Sequence, residues 1–82
     1  MIIDQEKINE LKNKQPLNFE DALFLMRSQI RVYRLAWSNG YNIGLKKNMN
    51  VVGFQPYFED QEGKRFEAST ESILAEDWMV VN

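Results

Sequence analysis

Three features of the sequence predict an α+β fold, a small antiparallel sheet with an N-terminal helix and a short helix before the last strand. An apolar stripe at helical spacing runs from Phe19 to Ile30. Alternating runs follow, broken by Asn39-Gly40 and Glu62-Gly63. A short segment opened by Ser69 and Thr70 then leads into the β-prone run Trp78-Met79-Val80-Val81. Helix, strands, short helix and strand in that order place the helices on one face of the sheet.

Residues 4–14, DQEKINELKNK, have helix-forming composition, but Ile8 and Leu11 alone make an apolar stripe too thin for a stable isolated helix. Residues 1–16 are therefore read as an N-terminal appendage, with a single domain over 17–82. Pro16 separates the two, because proline disfavours helical geometry in the residue before it.

A helix is predicted from Phe19 to Ser28. Asn18 is its cap, Asp21 stands at the capping-box position, and Glu20 with Asp21 favours the positive end of the helix dipole. Phe19, Leu23, Met26 and Ile30, flanked by Ala22 and Leu25, form its packing face.

The run from Arg31 to Trp37 alternates as a strand. The pleat places Val32, Arg34 and Ala36 on one face and Arg31, Tyr33, Leu35 and Trp37 on the other. Asn39-Gly40 is the preferred pair for a type I′ turn, and Tyr41, Ile43 and Leu45 resume the alternation in a first hairpin. A second hairpin is predicted from Val51–Phe58, kinked or at an edge because of Pro56, paired through the Glu62-Gly63 turn with Lys64–Glu67.

The net charge of -2 over 82 residues hides an uneven distribution. Residues 22–58 hold no acid and carry Arg27, Arg31, Arg34, Lys46 and Lys47. Such a stretch is either a surface whose charges mix in space after folding or a site for a small anion. The overall acidity argues against stable binding of DNA or RNA. No apolar run approaches the roughly 20 residues that span a bilayer, and the acidic N-terminus does not read as a signal peptide, so a cytoplasmic location is expected. A domain this small, lacking Cys and His for disulfides or zinc, is expected to gain stability by self-association.

Absence of His and Cys also removes the usual nucleophile pairs and the imidazole base. Glu59-Asp60 and Glu76-Asp77 are adjacent carboxylates that point to opposite faces of a strand, so they do not converge on one atom. The four glycines are isolated and form no phosphate loop. The expectation is a binding protein, not an enzyme, with no metal or cofactor.

Binding of a ligand needs aromatic planes for stacking, a few fixed polar groups, and cations where a phosphate is held. Two tryptophans, three tyrosines and five phenylalanines are enough to serve both a core and a pocket. Tyr41, Phe58 and Phe66 fit core packing as well as a pocket wall. Trp37 is the most pointed candidate, at the mouth of the first hairpin beside Asn39 and downstream of Arg31 and Arg34.

The series NFEDAL, RVYRLAWSNG, PYFEDQEGK and STESILAEDW resembles the small phage and bacterial domain that includes the Thoeris anti-defence sponge proteins of the second type. The match runs from Asn18 to Val80, with Leu74-Ala75-Glu76-Asp77-Trp78 its most distinctive piece. The resemblance implies a non-catalytic homo-oligomer, a tetramer in relatives, whose interface pockets sequester a cyclic nucleotide immune signal without cleaving it. In relatives that signal is a glycocyclic ADP-ribose isomer, and some also bind cyclic dinucleotides; the expectation here is such an isomer or a cyclic di- or trinucleotide, whose capture blocks activation of the effector.

Carried over onto this sequence, the resemblance gives Trp37 the contact with a base and Asn39 a ribose or base edge. Arg31 and Arg34 would meet a pyrophosphate, with Arg31 sharing Trp37's side of the strand; Tyr41, Phe58, Phe66 and Ser69 complete the ligand-binding set. Asp77 and Trp78 are read as a structural staple. Three positions depart from the family pattern: Ser38 is inserted between Trp37 and Asn39, Phe66 replaces a tryptophan, and Ser72 replaces the acidic partner of the Ser69 cap. A different class of function, an inhibitor that docks directly on a host defence enzyme, needs a large exposed apolar patch and no affinity for nucleotides. A single-strand nucleic-acid binder would instead show steep salt dependence.

Overall fold

The computed structural model describes residues 4–37, 40–47 and 50–81. Helices α1 (Gln5–Lys14), α2 (Phe19–Arg27) and α3 (Thr70–Leu74) accompany strands β1 (Val32–Arg34), β2 (Ile43–Lys46), β3 (Tyr57–Asp60), β4 (Arg65–Phe66) and β5 (Trp78–Val80). The strands form one antiparallel sheet in the order β4-β3-β2-β1-β5, which establishes the α+β class.

Local chemistry accounts for each helix. Asp4 caps α1 by accepting from the Lys7 N–H at 2.9 Å, and Asn18 caps α2 by accepting from the Asp21 N–H at the same distance. At the far end of α2, Ile30 N–H donates to Leu25 and Gln29 N–H to Met26, the paired bonds of a Schellman motif. The left-handed position of that motif, normally glycine, is held by Gln29 at φ 66°. Ser69 caps α3 by accepting from Ser72 N–H, and the Ser72 hydroxyl lies 3.3 Å away from that of Ser69.

Cross-strand registers sort the side chains onto two faces. Val32 pairs with Ile43 and Val80, Arg34 with Trp78, Ile43 with Asp60, and Phe58 with Leu45 and Phe66. All of these lie on the face that meets α2, where Ala22, Leu25, Met26, Val32, Ile43 and Trp78 are wholly buried. Arg31, Tyr33, Gly44, Lys46, Tyr57, Glu59, Arg65 and Met79 alternate onto the outer face. Trp78 anchors the core: Phe19 packs on it at 5.5 Å between ring centroids, and its indole N–H donates to the Ser72 carbonyl at 3.1 Å.

The thin stripe of α1 reaches the core. Ile8 and Leu11 are 2% and 3% exposed. The segment after α1 also covers the edge of β5: Leu17 exchanges backbone hydrogen bonds with Trp78, and the Gln15 side-chain oxygen accepts from Val80 N–H at 2.8 Å. An otherwise open sheet edge is thereby occupied.

The first strand is shorter than its alternation predicts. It stops at Arg34, and Trp37 N–H turns back to the Arg34 carbonyl at 2.9 Å. The connection from Leu35 to Asn42 is therefore wider than a two-residue hairpin; Ser38 and Asn39 lie outside the described residues, while Gly40 has the positive φ expected of it, 73°. Residues 51–56 are likewise not strand: Phe54 N–H closes a turn on Val51, and the strand begins only after Pro56. Proline's missing donor ends the pairing there instead of kinking it.

Candidate functional site

Trp37 sits where the turn after β1 delivers it, half-buried against the core. Its ring meets Tyr41 at 5.1 Å, Phe66 at 5.4 Å and Trp78 at 5.3 Å, all edge-to-face, and Tyr41 and Phe66 lie 6.2 Å apart. Three of the predicted aromatics thus form one partly exposed cluster beside the turn that follows β1. Phe58 stands apart from it, edge-on to Phe19 at 6.0 Å among the residues lining the core.

The turn that aims Trp37 is held by Arg34 and Asp77. Arg34 Nε donates to Asp77 Oδ1 at 2.8 Å, the second carboxylate oxygen accepts from Ala36 N–H at 3.1 Å, and Glu71 lies 3.7 Å from Arg34 Nη1. Burial alone would raise the Asp77 carboxyl, but the Arg34 hydrogen bond, the Ala36 N–H and the Arg34 charge outweigh it and hold the pKa below the ordinary value. Arg34 is therefore matched by acids from outside the acid-free stretch, as the mixed-surface alternative requires.

Tyr41 links the cluster to a second fixed carboxylate. Its hydroxyl lies 3.5 Å from Asp60 Oδ2, while Asp60 Oδ1 accepts from the N–H groups of Glu62 and Lys64 at 2.9 Å each. The Lys64 N–H leads in lowering the Asp60 pKa, against burial and with the Glu62 N–H assisting. Burial first, then the Asp60 charge, raises the Tyr41 phenol.

Arg31 does not share Trp37's side. A strand continuous to Trp37 would put the two side chains on one face, but β1 ends at Arg34 and the turn carries Trp37 onto Trp78, the cross-strand partner of Arg34. Arg31 instead lies across the outer face. Its Nε donates to Asn42 Oδ1 at 2.6 Å and its Nη2 to the Glu59 carbonyl at 3.1 Å. Of the remaining predicted residues, Ser69 spends its hydroxyl on the α3 cap, and Asn39 lies outside the described residues.

The sequence reading missed a groove on that outer face, of about 300 Å³, lined by Gln29, Arg31, Gly44, Leu45, Lys46, Lys47 and Glu59. The sequence signal for it is Gly44, because an isolated glycine inside a strand pattern marks a close approach. At Gly44 the approaching group is Arg31, whose Nη1 would lie 2.9 Å from a Cβ built there. Among the described residues, no group of three or more acidic side chains could hold a metal ion.

A family model of the Thoeris anti-defense 2-like domain matches residues 17–81. The chain belongs to that family. Thoeris anti-defence is accordingly the role the family gives it, and the matched span starts at Leu17, the residue that bridges to Trp78, and takes in the whole sheet. No curated protein matched the sequence. No helix among the described residues is long and apolar enough to cross a membrane.

Proposed function

We propose that this Thoeris anti-defense 2-like domain binds a cyclic nucleotide immune signal, a glycocyclic ADP-ribose isomer or a cyclic dinucleotide, and withholds it without cleaving it. The observation that carries the reading is the half-buried cluster of Trp37, Tyr41 and Phe66 beside the turn that follows β1. The edge-to-face packing holds the indole in one orientation, ready to stack on a base at little cost in side-chain freedom. The chain has no histidine or cysteine to serve as nucleophile or neutral-pH base, so capture without turnover is the chemistry it is equipped for. Assembly as a homotetramer, with pockets completed across subunits, is part of this proposal.

The test is calorimetric titration with glycocyclic ADP-ribose isomers and cyclic di- and trinucleotides, followed by heating of the loaded protein. Stoichiometric binding and release of an unchanged nucleotide are expected; recovery of a hydrolysed product defeats the reading. Trp37→Ala is expected to abolish binding while circular dichroism retains the folded signature.

A second reading, direct docking on a host defence enzyme, draws on the exposed apolar side chains Leu35, Val52, Ile73 and Leu74. It predicts a complex with a purified Thoeris enzyme in the absence of any nucleotide, which the sequestration mechanism does not require.

A further inference from the structure

The groove on the outer face of the sheet has a composition that the aromatic cluster does not explain. It lies on the Arg31 side of the pleat, away from the face on which Trp37 packs against Trp78. Three cations, Arg31, Lys46 and Lys47, line it together with the uncharged Gln29 and one acid, Glu59.

Arg31 is prepared before any ligand arrives. Bonds from Nε to Asn42 Oδ1 and from Nη2 to the Glu59 carbonyl and, at 3.4 Å, the Asn42 carbonyl fix the guanidinium plane. Nη1 makes no hydrogen bond among the described residues, and it rests in the space that the missing Gly44 side chain leaves. A guanidinium held by neutral acceptors keeps its full charge for a ligand, in contrast to Arg34, which is neutralised by Asp77 and Glu71. Lys47 is also placed, its Nζ donating to the Arg27 carbonyl at 3.3 Å at the end of α2, while Lys46 extends from β2 on the same outer face as Gly44.

Gln29 adds a second, independent observation. It occupies the left-handed position of the α2 terminus, where glycine is favoured because it has no Cβ, and it lines the groove. A strained backbone position filled by a polar side chain beside a cavity is the pattern expected of a site.

Glu59 sets the chemistry. A bare polyanion would gain from three cations but lose against this carboxylate, whereas a ligand with an anionic end and hydroxyl donors satisfies both. We propose that the groove is a sugar-phosphate site, with Arg31, Lys46 and Lys47 facing the phosphate and Glu59 and Gln29 accepting from the sugar hydroxyls. Its volume of about 300 Å³ accommodates a pentose phosphate or that part of a nucleotide. The site stands apart from the aromatic cluster that carries the sequestration reading: Arg31 lies on the outer face, and neither Trp37 nor its ring partners line the groove.

The experiment is NMR titration of the ¹⁵N-labelled full chain with ribose 5-phosphate, inorganic phosphate and ribose, at constant ionic strength. Saturable shifts at the Gly44 amide and the Arg31 Nε–H are expected, with ribose 5-phosphate tighter than inorganic phosphate and no saturation by ribose. Arg31→Lys, which loses the fork, is expected to weaken ribose 5-phosphate by about tenfold. Gly44→Ala, which displaces Nη1, is expected to do the same. Glu59→Gln should tighten inorganic phosphate and shrink the preference for the sugar phosphate.

Lys46→Ala with Lys47→Ala at the groove rim provides the test if either backbone-linked variant fails to fold. Trp37→Ala should leave ribose 5-phosphate affinity unchanged even where it abolishes cyclic nucleotide binding. Absence of saturable binding, shifts centred on the Trp37 cluster, or full affinity in both Arg31→Lys and the double lysine variant would overturn the proposal.

Discussion

Arg34 and Asp77 are joined at 2.8 Å across β1 and the approach to β5, and the same carboxylate holds the Ala36 N–H. One aspartate thus fixes both the charge of a buried arginine and the turn that aims Trp37. Asp77→Ala should lower stability by about 2 kcal/mol, the scale of hydrogen bonds to a charged group at a partly exposed site. In a domain of this size the melting temperature should fall by roughly 10 °C. Differential scanning calorimetry checks the loss, and tryptophan fluorescence should report a changed Trp37 environment in the surviving fold. An unchanged melting temperature would show that the pair adds nothing to the fold.

Acid should destabilise the protein through Asp77 and Asp60. Both carboxyls are depressed below the ordinary 3.8 in the folded state. Their contributions are present above that value and are lost as pH falls through the folded pKa values. Tyr41 acts at the other extreme: its raised phenol favours the neutral form, so its contribution holds below pH 10.0 and declines as pH rises through the folded pKa. Without histidine, no side chain with an ordinary pKa near neutrality titrates. Urea midpoints measured from pH 3 to 11 should trace a plateau that falls at both ends; replacing Asp77 with Asn should flatten the acid limb.

Ile8→Ala should cost about 2–4 kcal/mol, because the side chain is 2% exposed and its removal leaves a cavity under α1. Chemical denaturation gives the value directly. A cost below about 0.5 kcal/mol would mean that α1 is not docked in solution.

Gln29→Gly should stabilise the fold by about 0.5–1 kcal/mol, since glycine relieves the φ of 66° but adds freedom to the unfolded chain. A thermal melt checks it. Destabilisation instead would show that the glutamine side chain contributes more to the native state than its backbone strain removes.

Much of the architecture was legible because local signals agreed with one another. The Asn18 cap and the Phe19–Ile30 stripe specify α2, and Ser69 with the Trp78 run specifies the α3–β5 end. The faces of the first strand were not legible, because alternation continues in the letters through Trp37 while the chain turns at Leu35 and Ala36. Only the distant Asp77 carboxylate shows why the turn falls there. The aromatic cluster was half visible: Trp37, Tyr41 and Phe66 were candidates, but their meeting depends on β2, β3 and β4 lying side by side. The outer groove escaped because Arg31 and Gly44 become partners only through strand pairing, and an isolated glycine carries no direction.

The placement of β5 beside β1 has a consequence for how the chain acquires its structure. Val80 bonds to Gln15 across 65 positions, and Trp78, the largest wholly buried side chain, comes from almost the end of the sequence. The β1–β5 side of the sheet therefore closes only when segments far apart in the sequence meet. Such distant pairings carry a large entropic cost of loop closure and slow the search for the native state. During synthesis, β1 and β2 are at hand for α2 early, but the part of its apolar face that β5 covers would stay open until that strand emerged, a window in which a chaperone or a second nascent chain has access to it.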